Sequence, residues 1–330
     1  MTWADIMHPP QYSSLDDAQR SILSYLLSDG TKTSPRGMAT IESRALSFTL
    51  FDPRRRCTLN PERKWSLPLA LGELCWHLSG STHASALEYY APVWRSFADS
   101  EGNIRGSCYG SKIFAAVDGQ SPWSRVRQLL RHDRETRRAV LYFNDALSHL
   151  APDCPDAACA ASLQFLIRDN TLDVVLCMRS NDVIWGLPYD VFLFSFLQEM
   201  MAADLGIEVG LYHHFAASIH LYKQHWDLAR RMLEGGSVDG FRMPPLKAPN
   251  EFQGFLEAER RIRIEGEDSK TEAMDDYWGD LVQVLHLFRT SRKIGWAATL
   301  NATSRSLPYC RVLEPLTRDV SQSLTRVMSR

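Results

Sequence analysis

The stretch "RSNDVIWGLPYD", residues 179–190, opens on an arginine, passes a second charged residue at Asp182 and turns at Gly186 and Pro188. It closes on Asp190, immediately before the apolar run Val191-Phe192-Leu193-Phe194. A carboxylate at the mouth of a segment that reads as buried needs a partner or a task.

Working outward, residues 189–206 read as a mostly apolar helix ending at Gly206, buried on several sides. Upstream, 159–168 and 171–179 read as strands joined by the hairpin-like turn "DN", and 136–143 as a further strand. Downstream, 208–222 reads as a strand, 223–233 as a helix and 235–250 as a loop. Nearer the N-terminus, 16–28 carries helical apolar spacing and 38–51 reads as one or two strands. Residues 66–80 have an N-cap serine, an early proline and a closing glycine, so they read as a helix. The last 60 residues read as helical, for example 275–290. Strands and helices do not alternate regularly, which excludes a doubly wound sheet. The expectation is an α+β fold, one large mixed β-sheet flanked by helices. It forms a single domain over 1–330 whose region from about 250 to 330 is divergent and mostly helical.

The 330 residues, 45% hydrophobic, suffice for a large core. A net charge of −2 gives no basic field for a nucleic acid polymer, whereas arginines at 54–56, 134, 137 and 138 suit a small phosphorylated ligand. The seven cysteines are scattered, with no C-x-x-C pair, which favours free thiols in a reducing compartment over disulfides or a metal site. No secretory signal pattern opens the chain, and no apolar run reaches the roughly 18 residues of a membrane span. A cytoplasmic protein without membrane contact is expected.

Taken singly, the candidate functional residues are ambiguous. Cys159 reads as a small buried hydrophobe. Glu73 sits on a helix where Leu74, Trp76 and Leu78 leave little polar face, so it is either exposed or a half-buried carboxyl with a raised pKa. Arg179 reads as a strand-end cation. His220 and Tyr222 share one strand face, as a polar pair in a core would.

Taken in order, they carry a pattern. "SPRG" (34–37), "GELCWHLSG" (72–80), "VWRSFAD" (93–99), "YG" (109–110) and "TRRAV" (136–140) are followed by Cys159 with "QF" five residues on. Then come "RSNDVIWGLP" (179–188), its arginine 20 residues after the cysteine, and "HLY" (220–222). This set resembles the thymidylate synthase superfamily, over about residues 30–230; the last 100 residues match poorly.

The resemblance implies alkylation at C5 of a pyrimidine nucleoside monophosphate with 5,10-methylenetetrahydrofolate as cosubstrate and no metal. C5 is a poor nucleophile until a thiolate adds at C6 and turns it into an enamine carbon. Cys159 would be that thiolate, its pKa lowered by Arg179, which also grips the phosphate. Arg36 and Ser180 would add to the phosphate site, and Arg137 and Arg138 would reach the partner's phosphate in a homodimer built on a sheet face. Glu73 would move protons around base and folate. His220 and Tyr222 match residues on the sugar 3′-hydroxyl, Asp182 a folate-pterin ligand, Trp94 an aromatic beside the folate, and Tyr109 a tyrosine near the nucleophile.

Asp190 departs from the family, whose synthases have asparagine two residues after Gly-Leu-Pro to read uracil. Cytosine offers a donor at N4 and an acceptor at N3. A carboxylate accepts from N4–H, but it meets uracil O4 acceptor to acceptor, a mismatch of about 1–3 kcal/mol. The expectation is therefore the cytidylate 5-hydroxymethylase branch, with dCMP ahead of CMP because Ser180 keeps a polar group near the sugar-phosphate. "SPRG" followed by Glu42 also resembles that branch, which serves phage DNA modification or nucleoside antibiotic synthesis. Three further departures count against a synthase. Ala160 replaces the histidine after the nucleophile, Ala216-Ala217-Ser218 replaces Gly-Gly-Asp, and the ending "SQSLTRVMSR" lacks the short closing tail. A methylase acting on dUMP or dCMP is the alternative within the fold. A non-catalytic nucleotide- or RNA-binding relative is the alternative of another class. A zinc deaminase fails on spacing, since "DCPDAAC" is not P-C-x-x-C and no H-x-E occurs.

Overall fold

The turn at Asp169-Asn170 sets the central hairpin. Both residues have positive φ, 47° and 61°, the paired left-handed geometry of a two-residue hairpin loop that Asp and Asn tolerate. The structure is a computed structural model describing residues 9–144, 150, 156–236, 239–266, 274–303 and 307–317.

Eight strands form one mixed sheet: β1 (Gln11–Tyr12), β2 (Thr31–Thr33), β3 (Thr40–Leu50), β4 (Val140–Tyr142), β5 (Ala160–Arg168), β6 (Thr171–Met178), β7 (Asn181–Asp182) and β8 (Glu208–Tyr222). The spatial order is β1-β3-β8-β6-β5-β4, with β2 on β3 and β7 on β8. β6 and β7 run parallel to β8; β3–β8, β5–β6 and β4–β5 are antiparallel. The expected strand at 38–51 is thus one continuous strand.

The sheet has two unlike faces. Along β6, Leu172, Val174, Leu176 and Met178 are buried and alternate with half-buried Thr171, Asp173, Val175 and Cys177. The buried face meets the apolar helix α5, Gly186–Leu205, whose Phe192, Phe194, Phe196 and Met201 are almost fully enclosed. Gly206, at φ 68°, ends it in the left-handed conformation. The other face stays partly open, with Gln164, Val175, Cys177 and Phe215 along it.

The remaining helices used below are α1 (Leu15–Asp29), α2 (Leu67–Leu78), α3 (Tyr109–Phe114), α4 (Pro122–His132), α6 (Trp226–Glu234), α7 (Phe252–Ile264) and α8 (Asp276–Ile294). Ser66 caps α2 by accepting from Leu69 N, with Pro68 in the first turn. The expected helix 223–233 begins with a 3-10 turn, Lys223–His225, before α6. The C-terminal helices join the main core: α7 and α8 pack on α2, and Phe255 and Trp278 are buried there. The stretch "SQSLTRVMSR" (321–330) lies outside the described residues.

Candidate active site

The β5–β6 hairpin brings its two open ends together, and those ends are Cys159 and Arg179. Arg179 N donates to Cys159 O at 2.8 Å. Its guanidinium donates to Ala158 O through Nε and to Ala157 O through Nη2, both at 2.8 Å, which leaves Nη2 3.8 Å from Cys159 Sγ. On the other side, Tyr109, at the start of α3, accepts from Ala160 N at 3.2 Å through its hydroxyl. Asp156 anchors the approach to the cysteine by accepting from Gly106 N, Ser107 N and the Ser107 hydroxyl. Burial pushes the Cys159 thiol up to about 11; Arg179 and Arg36 pull it down, while Asp190 and Asp156 push it up.

Two carboxyl groups face this cysteine's surroundings. Glu73, half-buried on α2, accepts a hydrogen bond from the Trp94 side chain. Burial, then the neighbouring Asp190, pushes it up to about 8, against pulls from Trp94 and Arg63. Asp190 lies in the second turn of α5 and accepts from Asn181 Nδ2 at 2.7 Å. Burial pushes it up to about 7, Asn181 pulls it down and Asp182 pushes it up. Near neutral pH the pair therefore holds at least one proton, because two ionised carboxylates in a desolvated cleft repel.

Asp182 Oδ1 accepts from Ile184 N at 2.7 Å and Trp185 N at 3.2 Å, so this residue shapes the entry into α5. It stands opposite His220 in the β7–β8 ladder. His220 and Tyr222 share a face as expected, their rings in a T-shaped contact at 4.9 Å. Burial lowers the His220 pKa, with Asp182 opposing. The Tyr222 hydroxyl is bonded to Arg36, which adopts φ 53° on an exposed turn and whose charge also reaches Cys159. Ser180 is half-buried between Arg179 and Asn181. Arg137 and Arg138 are exposed before β4, and among the described residues neither side chain bonds to a cleft residue of its own chain. Cys159, Arg179, Tyr109, Glu73, Trp94, Asp190, Asp182, His220, Tyr222 and Arg36 are linked by these contacts and charge interactions, whereas Ser180 is placed by its neighbours in the chain.

The sequence reading passed over Asn181, Arg63 and Trp185. Asn181 stands inside the quoted motif, one position from Asp182 and so on the opposite strand face. Arg63 lies 4.8 Å over the Trp185 ring, and Trp185 Nε1 donates to His225 Nε2 at 2.8 Å while the residue stays 48% exposed. Among the described residues no group of His, Cys, Asp and Glu is arranged to hold a metal ion, and no helix is long and apolar enough to cross a membrane.

The family model for thymidylate synthase matches residues 19–255, a span that contains every one of these cleft residues. The chain belongs to the thymidylate synthase family. It is also similar to the deoxyuridylate hydroxymethyltransferase of Bacillus phage SP01, 29% identical over 255 residues. That match covers 73% of this chain and 66% of the relative, so the chain spans just under two thirds of that relative's length.

Proposed function

We propose that the protein is a folate-dependent cytidylate 5-hydroxymethylase, acting on dCMP ahead of CMP. The observation that carries this reading is the Asp190 carboxyl, set in one cleft with Cys159 and Glu73. It occupies the position at which the family's synthases carry the asparagine amide. Its carbonyl-type oxygen accepts from cytosine N4–H, and one proton shared between the carboxyl and N3 completes the pair.

In this reading Cys159 Sγ adds to C6, aided by Arg179 and Arg36, which draw the thiol toward thiolate. Arg179, Arg36 and Ser180 hold the phosphate, and His220 and Tyr222 the 3′-hydroxyl. 5,10-Methylenetetrahydrofolate supplies the one-carbon unit. The partly exposed rings of Trp94 and Trp185 and the carboxyl of Asp182 suit an aromatic pterin. Once the one-carbon unit is on C5, the C5 proton is lost and tetrahydrofolate departs, water adds to the methylene carbon to give the hydroxymethyl group, and the Cys159–C6 bond breaks to return the thiolate; Glu73, protonated near neutral pH, gives and takes the protons. The half-open sheet face pairs two subunits, so that Arg137 and Arg138 reach the partner's phosphate. Free thiols fit a cytoplasmic setting.

A second reading, hydroxymethylation of dUMP, is favoured by the name of the phage relative. A neutral Asp190 supports it too, since an acid also offers a donor to uracil O4. One assay separates these. dCMP, CMP and dUMP are each offered with methylenetetrahydrofolate and the products weighed. A gain of CH2O on a cytosine nucleotide supports the proposal, the same gain on dUMP supports the second reading, and a gain of CH2 with dihydrofolate formed means a methylase.

A further inference from the structure

A neutral carboxyl group has one donor and one acceptor, and by exchanging which oxygen holds the proton it matches either pyrimidine. Cytosine needs acceptor then donor along N4 and N3; uracil needs donor then acceptor along O4 and N3. Asp190 alone is thus an ambiguous reader unless something fixes its proton.

The groups around it are Glu73 from α2, Tyr109 from α3, Cys159 before β5, Tyr212 from β8, and Asp182 and Asn181 from β7. Of these, Asn181 donates to it, Nδ2 to Oδ2 at 2.7 Å. Asn181 is 2% exposed, and its backbone is fixed by pairing with Ile219 of β8. Its Oδ1 is buried with no hydrogen-bond partner, so the amide is committed to Asp190 alone. Gly186 completes the arrangement: a Cβ there would stand 3.2 Å from Asn181 Nδ2 and 3.4 Å from Asp190 Oδ2, crowding the contact.

We infer that Asn181 is the specificity-determining positioning residue of the base site, its amide fixing which Asp190 oxygen accepts and which carries the proton. The inference rests on the proposed base-reading role of Asp190. With Nδ2–H pointing at Oδ2, that oxygen is the strong acceptor and the proton belongs on Oδ1. Turning the amide over would set Oδ1 of Asn181 against Oδ2 and demand the proton there instead. The two amide orientations therefore correspond to two readings of a pyrimidine edge, and in the structure Nδ2 is the atom set against Oδ2.

The test is the ratio of dCMP to dUMP affinity, measured by calorimetry on the full chain and needing no turnover, across pH 6 to 9. Asn181→Leu keeps the shape and removes the amide; Asn181→Ser keeps a donor. Asn181→Leu is expected to change the ratio about tenfold, the worth of one buried hydrogen bond. It should also move the pH limb of dCMP binding upward, because the group pulling the carboxyl down is gone. Asn181→Ser should lie between that variant and the wild type. Equal weakening of both nucleotides, with ratio and pH limb unchanged in both variants, overturns the inference and leaves a structural asparagine. A wild type that prefers dUMP removes the cytidylate reading by itself, while a ratio that still shifts in the variants upholds Asn181.

Discussion

The guanidinium of Arg179 lies 3.8 Å from the Cys159 sulfur while its other bonds go to Ala157 O and Ala158 O. It is thus held by backbone carbonyls and leaves its charge beside the thiol. Burial keeps that thiol up at about 11, so the arginine's pull sets how much thiolate exists at neutral pH. Arg179→Gln should slow iodoacetamide alkylation of Cys159 at pH 8 about tenfold, one pKa unit's worth, with the rate rising only at higher pH. An alkylation profile that does not move would separate the arginine from the thiol.

Cys159→Ser should lower turnover on the order of 10³-fold or more, since a hydroxyl is far less nucleophilic than a thiolate. Nucleotide affinity should stay within a few-fold, because Arg36, Arg179, His220 and Tyr222 are untouched. Retained turnover in the serine protein would place the chemistry on another residue, and a binding-only protein would show no difference in any assay.

Glu73 carries a pH signature of its own. Its carboxyl is held up at about 8, first by burial and then by Asp190. A raised folded-state pKa stabilises the fold fully below the ordinary carboxylate value, and that contribution is lost as pH rises through about 8. Glu73→Gln cannot ionise, so its melting temperature should gain on the wild type by a few degrees at pH 9 and hardly differ at pH 4. Turnover should fall about 10²–10⁴-fold with nucleotide affinity nearly kept. Equal losses in turnover and affinity would remove the proton-transfer role.

Five of the eight strands were legible in the sequence because strand alternation and hairpin chemistry are local signals, whereas β1, β2 and β7, of two or three residues each, are too short to show a period. The candidate site residues were singled out by the ordered motifs and their family resemblance, not by periodicity. The Asp169-Asn170 turn places Cys159 beside Arg179 with no further information. The start of α5 was not legible. Gly186 and Pro188 read as a turn, yet the helix begins at Gly186, because a proline in the first turn lacks only an N–H that has no helical partner there. Asp182 supplies the missing acceptor for Ile184 and Trp185. Asn181 was missed for a different reason: its partner is nine residues away across that turn, and only the closed β7–α5 corner brings the two together. The docking of α7 and α8 on α2 joins residues nearly 200 apart, beyond any periodicity.

Asp190→Asn should move base preference from cytosine toward uracil nucleotides, by about ten- to a hundredfold in the ratio of kcat/KM, the worth of a reversed buried polar pair. The amide has no titration, so the limb near pH 7 given by Asp190 should vanish from the dCMP profile with it. Unchanged base selectivity would end the argument that this residue reads the base.

The dimer proposal makes a quantitative demand. Arg137 and Arg138 are exposed and, among the described residues, neither side chain bonds to a site residue of its own chain, while the face of the sheet bearing Gln164, Val175 and Phe215 is left half-open. If these arginines complete the partner's phosphate site, Cys159→Ser and the Arg137→Ala, Arg138→Ala double variant are each nearly inactive alone. Mixed and allowed to exchange subunits, half of the dimers are hybrids by random pairing. Each hybrid has one site with an intact cysteine and intact arginines from its neighbour. Activity should then recover to about a quarter of the wild-type value per total protein, as a two-fold symmetric shared site requires. Mixing without recovery, while exchange is confirmed by mass, would mean that each subunit binds its phosphate unaided.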